Sequence, residues 1–404
     1  MKIIIAKAAL WRELALLQQN VLDKKGLIPA LSHIRLKATG KRRLELAGTD
    51  LDVTLTGEIE AVVKQAGTCV LPGRKLFDIV KNLPDEPITI AVKANCRAEI
   101  TCGRSQFKMA GLSPDDYPEL PKFKETSAHL PASVARRLIE RTRFAITNDE
   151  SRFALAGARF TLSDKGARMV TTDGHRLALA ENKAATSETE LACLIPKKAL
   201  SALWQLAAGH EGEIGLHLDD NHLYAEIGAR TLVCRLLNGE FPAYEKIFPS
   251  GFAQQATLSG GTMLEAVRRV AIMAEDRARS LCLEFTPGQL RIYTPESAEG
   301  AAEDMLEISY DGPPLTVGLN AQYLAEYLAT LGGGPLVIAF NAPGAVVQFQ
   351  PQGEAECDSL SLLMPVALPN ATAEISDAPV AAETAPEPEV APAAAETVEL
   401  AEAA

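Results

Sequence analysis

The sequence predicts an α+β fold repeated three times in tandem. Three observations carry that prediction: motifs that recur about every 123 residues, the same order of helical and alternating segments inside each recurrence, and a length of 404 residues that calls for several domains. Leu71-Pro72-Gly73-Arg74-Lys75-Leu76 is echoed by Ile195-Pro196-Lys197-Lys198-Ala199-Leu200 and, more faintly, by Leu319-Asn320-Ala321-Gln322-Tyr323-Leu324. Tyr117-Pro118, Phe241-Pro242 and Met364-Pro365 keep nearly the same step, as do Thr49-Asp50, Thr172-Asp173 and Thr294-Pro295. Three independent series with one spacing divide the chain into units at 1–127, 128–250 and 251–368, followed by a segment at 369–404.

Each unit opens with a helix. Leu10, Leu14, Leu17 and Val21 form an apolar stripe at helical spacing in the first unit, Val134 and Leu138 begin one in the second, and Met263, Val267 and Val270 do so in the third. Alternating runs follow, such as Leu281, Leu283 and Phe285 leading through the turn Pro287-Gly288 to Leu290 and Ile292, the pattern of a hairpin. A second helix is predicted from Leu76, Val80 and Leu83, from Leu200, Leu203 and Ala207, and from Leu324, Leu328 and Leu331. More strands close each unit, for example Leu216 and Leu218, then Leu223, Ala225 and Ile227 around Asp219-Asp220-Asn221. Two helices per unit can then cover one face of antiparallel sheet.

The chain carries 40 basic and 52 acidic residues, a formal charge of −12, which at first argues against nucleic acid. Eight of the acids, no base and four prolines lie from Asn370 onward, a composition that cannot bury enough apolar surface to fold and predicts a disordered Ala/Pro/Glu-rich tail at 369–404. The rest is nearly neutral, with 44 acids against 40 bases. Seven cysteines without Cys-x-x-Cys spacing argue against a disulfide framework and a zinc site. With neither a signal peptide nor a membrane span in the sequence, a cytoplasmic protein is expected. No Walker, His-Glu-x-x-His or Gly-x-Ser-x-Gly motif points to an enzyme.

The bases gather on helices: Arg136, Arg137, Arg141 and Arg143 on the first helix of unit two, Arg74, Lys75 and Lys81, then Lys197 and Lys198, on second helices, with Lys24 and Lys25 after the first helix and Arg268-Arg269 in unit three. A solvated helix face explains any one of these. Recurrence at equivalent places on a near-neutral body predicts a positive surface segregated from a negative one.

Taken in order, Gly48-Thr49-Asp50-Leu51-Asp52-Val53, Leu71-Pro72-Gly73-Arg74-Lys75-Leu76, Asp116-Tyr117-Pro118-Glu119-Leu120, Thr172-Asp173-Gly174-His175-Arg176-Leu177 and Asn238-Gly239-Glu240-Phe241-Pro242-Ala243-Tyr244 resemble the bacterial DNA polymerase III beta subunit family, the sliding clamps, from Met1 to about Leu368. The resemblance implies three copies of the DNA clamp fold per subunit. Two subunits would close head to tail into a ring around duplex DNA, with helices lining the hole. It implies a non-catalytic processivity factor without cofactor or metal, associated with the nucleoid, whose partners are double-stranded DNA, the replicative polymerase, the clamp loader and repair proteins. Such a ring holds DNA by topology and diffuse charge, because tight phosphate or base contacts would stop it sliding.

The resemblance also implies sites. A pocket for partner peptides between domains two and three falls on Leu155, Thr172, Gly174, His175, Arg176, Leu177, Pro242, Ile247, Leu362, Met364 and Pro365. Read alone, Thr172 to Arg176 is a strand-connecting turn. DNA-facing residues are Lys24, Arg74, Arg136, Arg137, Arg141, Arg152, Lys197 and Lys198, and Phe107, Ile272 and Met273 lie near the subunit joint, although core positions use the same residue types. Three departures stand out. Met364-Pro365-Val366-Ala367-Leu368 replaces the usual Met-Pro-Met-Arg-Leu, Gly344 and Val346 replace a larger apolar and a small polar residue, and Asp149 replaces a neutral polar one. Two alternatives remain: a specialised second copy of the clamp with altered partners, and a repeat scaffold with no DNA role, which would not need the basic helices.

Overall fold

A computed structural model describes residues 1–22, 28–93, 95–123, 125–149, 151–274, 279–297, 300–353 and 357–367. Lys24, Leu368 and the acidic tail lie outside the described residues.

Among the described residues six α-helices form where the stripes predict them: α1 (Lys7–Asn20), α2 (Gly73–Asn82), α3 (Ala132–Thr142), α4 (Lys197–Ala208), α5 (Gly260–Val270) and α6 (Ala321–Leu328). Their starts are written locally. Pro72, Pro131 and Pro196 end a strand and stand at the N-caps of α2, α3 and α4, where a residue with no N–H to give cannot extend the ladder. Ser259 and Asn320 cap α5 and α6 by accepting from the Thr262 and Tyr323 amides. Three stripes run past their helices. Val21 is the C-cap of α1, Leu83 precedes Pro84 and is extended, and Leu331 lies three residues beyond the end of α6, before Gly332 and Gly333 with φ values of +67° and +92°.

The second domain shows the plan. Strand Ala128–Pro131 leads into α3 and three antiparallel strands, Gly157–Ser163, Gly166–Thr172 and Arg176–Asn182. The same order then runs again through Leu191–Pro196, α4, Glu213–Leu218, His222–Ile227 and Arg230–Arg235. Each domain is therefore two strand-helix-three-strand halves, a shorter repeat that the motif spacing does not announce. The halves interlock, because Ala128–Pro131 pairs with Glu213–Leu218 of the other half and Leu191–Pro196 pairs with Gly157–Ser163. Domains one and three follow the same order, with an added strand, Val62–Gln65, in domain one.

Sheets continue across domain boundaries. Val53–Glu60 pairs antiparallel with Arg230–Arg235, and Arg176–Asn182 pairs with Asp358–Leu363, so that each joint becomes one eight-stranded sheet. At each joint the pairing covers two strand edges that would otherwise stay open. At its two ends a five-stranded sheet stops at Ser105–Ala110 and a four-stranded sheet stops at Glu303–Glu307. The helices lie in pairs against these sheets. One apolar core runs through domains one and two, and domain three has its own, built around Phe285, Phe340 and Phe349.

Candidate functional site

The turn between strands Gly166–Thr172 and Arg176–Asn182 is held by its own side chains. Asp173 Oδ1 accepts the amides of His175 (3.0 Å) and Arg176 (3.1 Å), and Thr172 Oγ1 accepts the Gly174 amide (3.1 Å) while donating to the Arg176 carbonyl (2.7 Å). Gly174 sits at φ +91°, where glycine carries no Cβ penalty. The segment is a strand-connecting turn, as its residues read alone predict.

On one side of it lies a small apolar cluster. Leu177 and Leu362 face each other across the joint sheet and are buried with Val170 and Tyr244, while Leu179, Phe241, Phe248, Val346 and Leu360 pack around them. Ile247 and Met364 stand exposed at its rim at 41% and 48%, Pro242 is exposed, and Leu155 and Pro365 are half-buried. The Met364 amide donates to the His175 carbonyl at 2.9 Å, tying the chain's exit from domain three to the turn. A floor of buried aliphatics under exposed hydrophobes suits the anchoring of an apolar peptide side chain. Tyr244, Phe241, Phe248 and Val170 were not among the expected pocket residues. They sit in a linker and on a strand whose alternation says only that they are inside.

Arg176 turns its donors inward. Its guanidinium is buried and spent within the protein: Nε on Asp173 Oδ2 (2.9 Å), Nη1 on Glu326 Oε2 (2.6 Å) and Nη2 on the Phe144 carbonyl (2.6 Å), with its face 4.2 Å from the Tyr323 ring centre. Beyond it opens a polar cleft of about 740 Å³, lined among others by Arg143, Asp149, Arg152, His175 and Lys197. Burial and the nearby Arg176 charge lower the Lys197 pKa, and its ammonium donates to Asn148 Oδ1 (2.7 Å). Hydrogen bonds from Ser151 hold the Asp149 carboxyl below its usual range, so it stays ionised beside Arg152.

The expected DNA-facing residues separate into groups. Arg74 and Arg136 are exposed on α2 and α3, and Arg152 is exposed before strand Gly157–Ser163. Arg137 lies 3.5 Å from Glu140, and Lys198 reaches from α4 to Asp50 of domain one. Arg141 is the correction. It is only 3% exposed and donates across the domain boundary to the Thr330 carbonyl, because it falls on the buried face of α3 with Val134 and Leu138. A buried guanidinium cannot line a hole. Lys24 is outside the described residues.

Three family models cover nearly the whole body: the DNA polymerase III beta subunit N-terminal domain on residues 1–121, its central domain on 129–243 and its C-terminal domain on 245–366. The chain belongs to the DNA polymerase III beta subunit family. The beta sliding clamp of Pseudomonas putida is 30% identical over 371 residues, which is 91% of this chain and 100% of that protein. A crystal structure of the DNA polymerase III subunit beta from Pseudomonas aeruginosa is similar with a TM-score of 0.84 at 30% identity, covering 91% of this chain and 100% of that one. A sliding clamp from the same organism bound to griselimycin has the same TM-score, identity and coverage.

Within this clamp fold the residues expected at the subunit joint lie on the unpaired ends. Phe107 is 38% exposed on the edge strand Ser105–Ala110, and Ile272 is 74% exposed just after α5, with Met273 half-buried beside it. The core alternative therefore fails for Phe107 and Ile272 in the isolated subunit. The place that Ile272 takes after α5 is taken after α3 by Phe144, whose ring packs against Tyr327 of the next domain at 5.9 Å. No cluster of His, Cys, Asp or Glu that could hold a metal occurs among the described residues.

Proposed function

We propose that two copies of this chain close into a ring that encircles duplex DNA and tethers the replicative polymerase. One observation carries the reading: both internal joints pair a strand of the type Val53–Glu60 or Arg176–Asn182 with one of the type Arg230–Arg235 or Asp358–Leu363, and the members left over are Glu303–Glu307 and Ser105–Ala110. Applied once more between subunits, the rule joins domain three of one copy to domain one of the next. On the first strand Glu303 and Asp304 are paired with Arg291 and Arg269 of the same chain, which leaves Glu307 opposite in charge to Lys108 of the second. Such a contact is heterologous and ends in a closed dimer when the joints turn the chain far enough.

Arg74, Arg136 and Arg152 would give the hole a positive lining without base recognition, and Asp149 would weaken it near Arg152. The Leu177–Leu362 cluster would anchor hydrophobic motifs of the polymerase, the clamp loader and repair proteins. Tethering requires no catalytic group, and the setting would be the cytoplasm at the nucleoid. Loaded by its loader onto nicked circular DNA, the protein should stay bound through gel filtration and leave when the circle is cut. Equal escape from circle and line would rule out topological binding. Griselimycin should bind the chain, and Ile247→Asp with Met364→Asp should weaken it at least tenfold, about 1.4 kcal/mol, with an unchanged melting temperature. Undiminished affinity would move docking away from the cluster.

A further inference from the structure

A line of hydrogen bonds runs along α6 from the docking turn toward the chain's free end. Arg176, fixed by Asp173 in the turn, donates to Glu326 Oε2 at 2.6 Å. Glu326 Oε1 accepts from Gln322 Nε2 one turn earlier at 2.8 Å, and Gln322 Oε1 accepts from Arg279 Nη1 at 2.7 Å. Arg279 holds a left-handed φ of +47°, and its carbonyl accepts the Ala321 amide at the start of α6 (2.8 Å), so its place is set by the helix. Gln322 and Glu326 line two clefts at once. One, of about 740 Å³, borders His175 and Arg176, and the other, of about 760 Å³, contains Ile272 and Arg268. α6 itself has no Lys or Arg, so Glu326 is not answered by a base on its own helix.

We propose that Glu326 is a positioning residue that couples the docking pocket to the subunit joint. The inference rests on the ring reading above. Its two carboxylate oxygens face opposite ways: one holds the turn through Arg176 and the other holds Gln322, and with it Arg279 beside the Ile272 cleft. A molecule seated on the Leu177–Leu362 cluster stills the turn that carries Arg176, which sharpens the whole line and favours the joint in its closed arrangement. By linkage the closed ring holds that molecule more tightly in the same proportion.

The test is the dimer dissociation constant with and without saturating griselimycin, measured by sedimentation on the full chain. Wild type should tighten about fivefold, the lower end of common coupling energies. Glu326→Gln and Gln322→Ala should each reduce that ratio to near one, whereas Glu265→Gln on the exposed side of α5 should leave it intact. Gln322→Ala spares the Arg176 contact, so it decides the matter even where Glu326→Gln lowers the melting temperature. No shift in wild type, a loosening, or a shift that survives in both variants overturns the proposal. If wild type fails to dimerise or to bind griselimycin, the ring or docking reading falls and the coupling with it. A dimer that binds griselimycin without a shift removes the coupling alone.

Discussion

Domains one and two meet through the same device as domains two and three, yet among the described residues only the second joint carries a separate small apolar cluster beside the main cores. In both, a Thr-Asp turn feeds the joining strand. Asp50 Oδ1 accepts the Asp52 and Val53 amides as Asp173 Oδ1 accepts those of His175 and Arg176, and Leu51 holds at φ +79° the place that Gly174 holds at +91°. The difference lies in side chains on matched rungs. Thr54 faces Val233 at the first joint, and Leu177 faces Leu362 at the second. The linkers diverge as well. Leu120 packs with Tyr117, Ala30 and Val70 inside domain one, whereas Tyr244 packs over the joint. The helix sides are tied differently too: Glu13 pairs with Arg230, Lys198 with Asp50 and Asn20 with Gln205 (2.8 Å) at the first joint, while Arg176 anchors the second. A generic backbone joint thus gains an apolar cluster through a few differences in side chain.

The largest effect expected concerns the first joint. Glu13→Ala strands the partly buried Arg230 guanidinium and should cost about 3 kcal/mol in urea unfolding, whereas Glu13→Leu with Arg230→Met should recover most of it. Equal losses in both would show that packing rather than charge holds that joint. Next comes the third joint, which needs a second chain. Ile272→Ala with Met273→Ala should raise the dimer dissociation constant about a hundredfold, about 2.7 kcal/mol, and an unmoved sedimentation profile would take both residues out of the interface. Writing the first joint's rung into the second, with Leu177→Thr and Leu362→Val, should weaken griselimycin about tenfold. Retained affinity would mean that the linker aromatics alone make the site.

The smallest effect reports each joint's opening. Burial pushes the Cys234 thiol, in the strand of the first joint, up to about 12, and the Cys357 thiol, beside the strand of the second, up to about 11. Both thiols are buried, so each should react at pH 8 only as its joint opens, and Cys357, which lies outside the strand pairing, should be labelled before Cys234, which lies within it. Mass spectrometry of the native protein reads the order, and faster labelling of Cys234 would make the first joint the looser one.

Much of this was legible in the chain because repetition and periodicity are local. The six stripes and the Pro287-Gly288 and Asp219-Asp220-Asn221 turns need nothing beyond neighbouring residues, and the triplication shows as local motifs recurring about every 123 residues. Arg141 shows where charge counting fails: it stands seven residues after Val134 and three after Leu138, on the apolar stripe, and position outweighed residue type. The sequence does not show where the Arg176 guanidinium is anchored, because one of its partners, Glu326, is 150 residues away. The half-domain repeat stayed hidden because the strand that opens each half pairs with the other half, so no contiguous stretch contains a complete sheet.

The two unpaired edge strands have a further consequence. A subunit whose ends complement each other is formally the monomer of a polymer. Whether copies make a closed dimer or an endless helical filament depends on how far each sheet joint turns the chain, and every joint contributes to that angle. A substitution that flattened either internal joint would leave the outer edges as sticky as before and misdirect them, so the strand pairs buried within one subunit also set the stoichiometry of the assembly.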